Sequence, residues 1–241
     1  MQGNSLLEQY KGVDLSTMTE KKIGAGESLT FFDSMLDVYR KNLRDKLTEY
    51  YACPEHDKKM QLRKDIADIV KQELVEQGIH IDFEDMDLSA NSQFFLWHTW
   101  FHDVFSRPSK KGFDIVIGNP PYGAKYDNQT KRYYKNTYVT ANSIRGLQKG
   151  SLDTYTLFIE LGYNLLRKNG SFAYIVPISL TSSDSLTGVH RFLMGNCDTI
   201  YISSYAVRPK PVFENAVVNT SILLFKKTET PCQYLFSTKM H

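Results

Sequence analysis

Asn119-Pro120-Pro121-Tyr122 is the stretch of this 241-residue chain whose side chains are best matched to chemistry on a planar amine. It follows directly on the apolar run Phe-Asp-Ile-Val-Ile-Gly at positions 113–118. An apolar run that breaks at Gly into a rigid polar and aromatic tetrapeptide predicts a buried strand ending in a loop. Open α/β sheets place their working loops at such strand ends. The Asn119 carboxamide oxygen has two lone pairs with which to accept from an exocyclic amine. Two successive prolines fix φ and remove two backbone donors, so the neighbouring carbonyls point outward at a set angle. Tyr122 adds a flat face for stacking. The target this set suggests is a planar amine such as adenine. For the bare tetrapeptide, a Pro-Pro turn with a packed tyrosine remains open as well.

The residues after the loop bear on that choice. Between Gly123 and Gly150 lie Lys125, Lys131, Arg132, Lys135, Arg145 and Lys149 against one acid, Asp127, with Tyr126, Tyr133, Tyr134 and Tyr138 interleaved. Cations for phosphates mixed with aromatics for bases describe a DNA-facing loop. On the charge pattern alone a solvated surface loop is the better account, and the position directly after Tyr122 tips the balance to DNA. The formal net charge of +2 selects no partner by itself, while 41% hydrophobic and 23% charged residues are ordinary for a globular chain. Cys53, Cys197 and Cys232 have no paired spacing, so no disulfide framework is expected and a reducing, cytoplasmic setting fits. Cys53 with His56, and His98 with His102, lack the third and fourth ligands that a metal needs, so no metal is expected. No apolar stretch reaches the ~20 residues of a membrane span, so no membrane partner is expected.

These groups need elements to position them. Phe32, Leu36, Tyr39, Leu43, Leu47 and Tyr50 recur at helical spacing up to Pro54, and Leu62, Ile66, Ile69 and Leu74 do so in a second span, 57–77, stopped by Gly78. Together they predict an antiparallel helical hairpin. The aromatic run 94–105 (Phe94, Phe95, Trp97, Trp100, Phe101, Phe105) is expected to pack against a sheet. A helix over 154–166, with Leu157, Phe158, Leu161 and Leu165 inward, turns at Asn169-Gly170 into a strand over 171–176 that ends at Pro177. A short helix at 186–194, a strand at 199–203 and a Val/Ile/Leu-rich strand at 217–225 follow. Strand, helix and strand in this rhythm predict an α/β sheet.

Gly118-Asn119-Pro120-Pro121-Tyr122-Gly123-Ala124 resembles motif IV of the S-adenosylmethionine-dependent methyltransferases that modify amino groups. The likeness is to the adenine-N6 DNA methyltransferases of restriction–modification systems, and within them to enzymes that fuse methylase and endonuclease. Asp153-Thr154-Tyr155-Thr156-Leu157-Phe158-Ile159-Glu160 and Leu165-Leu166-Arg167-Lys168-Asn169-Gly170 are similar to motif V, Val176-Pro177 to motif VI, and Pro211-Val212-Phe213 to motif VIII. Gln2-Gly3-Asn4-Ser5-Leu6-Leu7 resembles motif III, read as the tail of a strand running into a loop.

The resemblance implies a Rossmann-like methyltransferase sheet of class α/β, with a helical hairpin inserted. It implies that Asn119, Pro120, Pro121 and Tyr122 form the catalytic loop and that Tyr122 and Phe213 stack on a flipped adenine. Asn4, Ser5 and Asn119 would face S-adenosylmethionine. Lys125, Lys131, Arg132, Lys135, Arg208 and Lys210 are assigned to double-stranded DNA. The family's glycine-rich cofactor turn has no good counterpart: Gly24-Ala25-Gly26 follows no apolar strand. The expectation is therefore a partial sheet lacking the N-terminal cofactor-cradle strands. Its partners would be an N-terminal part of the same polypeptide and a DNA target-recognition domain. The divisions expected are 1–12 as the motif III tail, 27–92 as the helical insertion and 93–241 as the substrate-side catalytic part. Two alternatives stay open: a non-catalytic DNA-binding or structural module, and a methyltransferase acting on protein glutamine or on RNA.

Overall fold

The computed structural model describes residues 4–10, 13–15, 31–76, 94–123, 125–142, 152–208, 212–213 and 218–241. The chain forms two compact units, residues 1–106 and 107–241.

The first unit is built on the helical hairpin. Strands β1 (Gln9–Tyr10) and β2 (Val13–Asp14) pair antiparallel, and helices α1 (Phe31–Ala52) and α2 (His56–Glu76) follow. Pro54 separates the helices, since proline has no N–H to continue a helical ladder. Leu43, Leu47 and Tyr50 of α1 meet Leu62, Ile66, Val70 and Leu74 of α2 in one buried cluster. The aromatic run, with the short helices α3 (Trp97–Trp100) and α4 (His102–Phe105), joins this cluster through Phe94, Phe95, Leu96 and Trp100. It packs with the hairpin in this unit, where the sequence pointed to the sheet. Phe95 N–H donates to the Leu7 carbonyl at 2.9 Å and Trp97 Nε1–H to the Ser5 carbonyl at 3.0 Å. Residues 4–7 form a turn, where the loop is expected, because Leu7 N–H donates to the Asn4 carbonyl and Leu6 N–H to Asn4 Oδ1, while the expected strand tail before Asn4 lies outside the described residues. Among the described residues no helix is long and apolar enough to cross a membrane.

The second unit is α/β, as the strand and helix rhythm predicts. Its strands are β3 (Phe113–Gly118), β4 (Leu166–Pro177), β5 (Thr199–Tyr205), β6 (Thr220–Lys226) and β7 (Tyr234–Ser237). Its helices are α5 (Asn128–Thr137), α6 (Thr154–Leu165), α7 (Ser179–Ser182) and α8 (Thr187–Asn196), with a 3₁₀ turn at Val139–Ala141. The sheet order is β3-β4-β6-β5-β7. Strand β6 runs antiparallel to both neighbours, while β3–β4 and β5–β7 are parallel. Strand β4 begins at Leu166, earlier than the Asn169-Gly170 turn signal suggests. Leu166 pairs with Phe113, the register then shifts to Ile115 opposite Ser171, and Asn169 absorbs the extra residues at φ 62°. Asparagine tolerates that left-handed backbone better than most residues. The turn signal therefore marks an irregularity inside a paired strand.

One sheet face is covered. Phe172, Tyr174, Val176, Ile200, Leu223 and Phe225 pack against Tyr155, Ile159 and Tyr163 of α6 and Val189 and Leu193 of α8. Phe172 stacks on Phe225 with centroids 4.3 Å apart and planes 11° from parallel. The alternate residues point to the other face, where Ile115 is 66% and Ile117 78% exposed. Just before them in the chain, Asp114 is exposed and held by Arg107 at 3.2 Å and by Arg167. The two guanidiniums keep its carboxyl below the usual carboxylate range.

Helix α6 reaches the sheet through Gly162. A Cβ there would lie 2.6 Å from Phe172 Cε2 and 3.2 Å from both Tyr174 Oη and Val116 Cγ1. The stacked Phe172 ring has little room to swing away. Gly162→Ala should gain about 1 kcal/mol of helix propensity and lose more, about 1–3 kcal/mol, to overpacking. The expected result is a lower denaturation midpoint at unchanged m-value, with a larger drop for Gly162→Val.

Candidate active site

The Asn119–Tyr122 loop leaves the carboxyl end of β3 and is fastened to the carboxyl end of β4. Asn119 and Pro121 are exposed, Pro120 is buried and Tyr122 is half-buried against the core. The Tyr122 hydroxyl donates to the Ile175 carbonyl at 2.9 Å and also lies 2.6 Å from Asn119 Oδ1. One hydroxyl proton cannot serve two acceptors fully. Asn119 Oδ1 keeps a second lone pair with which to accept from a ligand. The hydroxyl that ties Tyr122 to Ile175 thus also touches the exposed carboxamide. Next to it stands Tyr155, edge-on to Tyr122 with centroids 6.3 Å apart, its hydroxyl 2.9 Å from Ser179 Oγ. Burial pushes both phenols above the usual tyrosine range. They stay protonated at neutral pH and fit binding and orientation, whereas a general base needs a pKa near the working pH.

The loop is tied at a second point. Gly123 sits at φ 65°, a left-handed conformation that glycine adopts without strain, and its N–H donates to Asp153 Oδ1 at 3.2 Å. Tyr126 donates to Thr154 Oγ1 at 2.9 Å. Helix α5 then starts at an Asp127 cap, whose Oδ1 accepts from Gln129 N at 2.8 Å and Thr130 N at 2.9 Å. Beyond α5, the buried Glu160 carboxylate accepts from Val139 N at 3.0 Å and Thr140 N at 2.7 Å.

This segment splits its two kinds of residue. Lys125, Lys131, Arg132 and Lys135 are exposed. Tyr134 and Tyr138 are buried, and Tyr126 lies edge-on to Tyr134 at 4.9 Å. Tyr134 and Tyr138 therefore hold the helix to its own unit and are turned away from any base. The sequence could not show this, since the alternation of cations and tyrosines has no side labelled inward.

The remaining site residues fall in three places. Val212 and Phe213 lie in the connection from β5 to β6, and Phe213 is half-buried. Thr220 at the start of β6 pairs with both Pro177 and Tyr205, so this connection leaves the same sheet edge as Asn119. Arg208 is exposed just beyond β5, and Lys210 lies outside the described residues, as do Gly24-Ala25-Gly26, Arg145 and Lys149. Asn4 and Ser5 belong to the first unit, where Asn4 Oδ1 already accepts from Leu6 N at 3.2 Å. Among the described residues no group of three or more His, Cys, Asp or Glu is placed to hold a metal ion. Asp153, Glu160 and Ser179 were given no role of their own in the sequence. The seven-residue spacing of Asp153 and Glu160, which places both on one helix face, was the available signal. The Ile175 carbonyl had none.

Fold and loop together define an α/β unit with a carboxamide exposed at its sheet edge. Over residues 16–213 the chain matches the family described as Eco57I restriction-modification methylase, and it belongs to that family. It is 28% identical over 162 residues to the Type II methyltransferase M.TthHB8I of Thermus thermophilus, covering 62% of this chain and 33% of that protein. It is 30% identical over 124 residues to the Type II restriction enzyme and methyltransferase RM.Eco57I of Escherichia coli, covering 48% of this chain and 11% of that one. The chain thus spans a third or less of these relatives. Among solved structures, a class I S-adenosylmethionine-dependent methyltransferase of Listeria monocytogenes aligns at TM-score 0.40 and 14% identity, over 90% of this chain and 69% of that one.

Two outcomes are expected here. Tyr122→Phe keeps the ring but releases both Asn119 and Ile175. It should lower stability by only about 1 kcal/mol, and should broaden or shift the Asn119 side-chain amide resonances in NMR. The Asp127 carboxyl is held below its ordinary value, chiefly by the Thr130 hydroxyl and backbone N–H. Its contribution is complete above the unfolded carboxylate range near pH ~3.9 and is lost as pH falls through the lower folded value. Amide exchange at Gln129 and Thr130 should therefore stay slow at pH ~5 and quicken only below ~3.9.

Proposed function

We propose that this chain is the substrate-handling part of a DNA methyltransferase of a restriction–modification system, acting on adenine N6. The observation that supports this best is the exposed Asn119 carboxamide, oriented by an anchored Tyr122 at the carboxyl edge of β3. Adenine inside a duplex hides its amino group, so it must leave the stack, at a cost of a few kcal/mol. Stacking on Tyr122 and Phe213 would offset that by roughly 1–3 kcal/mol per base. Asn119 Oδ1 and the Pro120 carbonyl accept the two amino hydrogens, which draws the nitrogen toward tetrahedral geometry and localises its lone pair. S-adenosylmethionine supplies an electrophilic methyl. The Lys125, Lys131, Arg132, Lys135, Arg208 and Lys210 cations hold the flanking phosphates. Positioning and electrostatics carry the acceleration, with no covalent enzyme intermediate.

The residues fit the cofactor only in part. Asn119 offers an acceptor, but the Asn4 amide oxygen is engaged by Leu6 N–H, and the described residues include no glycine-rich turn following a strand. No step is therefore assigned to cofactor held by this chain alone. A longer polypeptide supplying the cofactor cradle and a target-recognition domain, working in the cytoplasm, completes the proposal. The same observation favours a second reading, that the chain by itself is a non-catalytic DNA-binding module.

Methyl transfer to adenine-containing duplex DNA separates the two. In the parent enzyme Asn119→Ala should lower kcat by roughly 10²–10³-fold, the size of one lost transition-state hydrogen bond, while the isolated chain should transfer nothing. Unchanged transfer in the Asn119→Ala parent would reject the amine-acceptor role. Phe213→Ala should leave the melting temperature nearly unchanged and weaken binding to DNA carrying the target adenine. A core role for Phe213 would instead cost ~3–5 kcal/mol of stability with DNA affinity intact.

A further inference from the structure

Helix α6 carries two carboxylates that bind backbone outside it. Asp153, at its N-cap position, makes no capping bond with its own helix and accepts from Gly123 N–H. Glu160, two turns on and 4% exposed, accepts from Val139 and Thr140 N–H, one to each oxygen. These contacts fall at the two ends of the segment that bears Lys125, Lys131, Arg132 and Lys135. The Asn119 loop joins that segment at Gly123. We propose that Asp153 and Glu160 are positioning residues that fix the cationic face of α5 relative to the Asn119 loop, so that phosphates and target base are met in one register. The proposal rests on the DNA reading given above.

The chemistry supports a clamp over ordinary packing. A buried carboxylate is costly unless its oxygens are satisfied, and here each accepts a separate backbone N–H. Those N–H groups begin a 3₁₀ turn of three residues, too short to satisfy its own first donors. Neither carboxylate touches the exposed cations, so each acts through the backbone. Tyr134, Tyr138 and the Tyr126–Thr154 bond also hold the segment, and the two acids add the backbone ties at Gly123 and at Val139–Thr140.

The test is the salt dependence of duplex DNA binding by the full chain, measured by fluorescence anisotropy for wild type, Glu160→Gln and Ile200→Val, a core change on β5 away from α6. The slope of log K against log salt counts phosphate contacts at about 0.9 each and does not depend on the folded fraction. Glu160→Gln keeps the size of the side chain and loses one of two acceptors. Its slope should be shallower by about 1–3, with faster amide exchange at Val139 and Thr140. Ile200→Val, less stable but with α6 and both acids in place, should keep the wild-type slope. Asp153→Ala, at a half-buried position, provides the same readout at the Gly123 end if Glu160→Gln does not fold; its slope should be shallower by about 1. Faster exchange with an unchanged slope would overturn the proposal and leave Glu160 a fold contact. Wild-type chain with no salt-dependent DNA binding would instead reject the DNA reading, with the exchange data still recording whether the clamp exists.

Discussion

Because Gly162 has no side chain, helix α6 lies directly against Phe172, Tyr174 and Val116, closer than any other residue would allow. That contact sets where the amino end of α6 arrives. Beside the Tyr122 bond to Ile175 on β4, the ties of the loop and the segment after it hang from this helix: Asp153 on Gly123, Thr154 on Tyr126, Tyr155 beside Tyr122, Glu160 on the 3₁₀ turn. Interior packing is dense and nearly incompressible, so a displacement at Gly162 is passed along the helix without being absorbed. The loop is therefore held by a helix whose height above the sheet is fixed at one atom's tolerance.

Rigidity and openness are combined within four residues. Pro120 is buried and Tyr122 is pinned through its hydroxyl, while Asn119 and Pro121 stay exposed. The alternation places the anchors and the presented carboxamide on the same short stretch, so the amide needs little further ordering before it meets a ligand. The two prolines contribute by having few conformations to lose.

Much of this was legible in the residues. The run 113–118 with its Gly and diproline announces a strand ending in a working loop, and the three-to-four spacing of Leu43, Leu47, Leu62 and Ile66 announces the hairpin. Helix α5 was hidden because Asn-Gln-Thr-Lys-Arg-Tyr-Tyr-Lys-Asn-Thr has no apolar stripe of ordinary kind: its inward side is tyrosine, which serves equally well at a surface. Strand β7 has all four residues exposed and thus no alternation to betray it. The early start of β4 was masked by a genuine turn dipeptide that parallel pairing with β3 overrides. The aromatic run 94–105 carries no mark of which apolar surface it will join, and only the folded chain shows that it joins the hairpin.

Strand β3 stands at the end of the sheet order, with no further strand beside it among the described residues. It carries Ile115 and Ile117, β-branched residues turned to solvent. An edge of this kind is a template for self-assembly, and proteins usually blunt it with charge. Here the one charge, Asp114, is compensated by Arg107 and Arg167, so it repels an approaching strand weakly even though it stays ionised well into acid. The strand that delivers Asn119 accordingly also exposes two β-branched side chains beside a compensated charge, so surface character and chemistry meet on the same six residues.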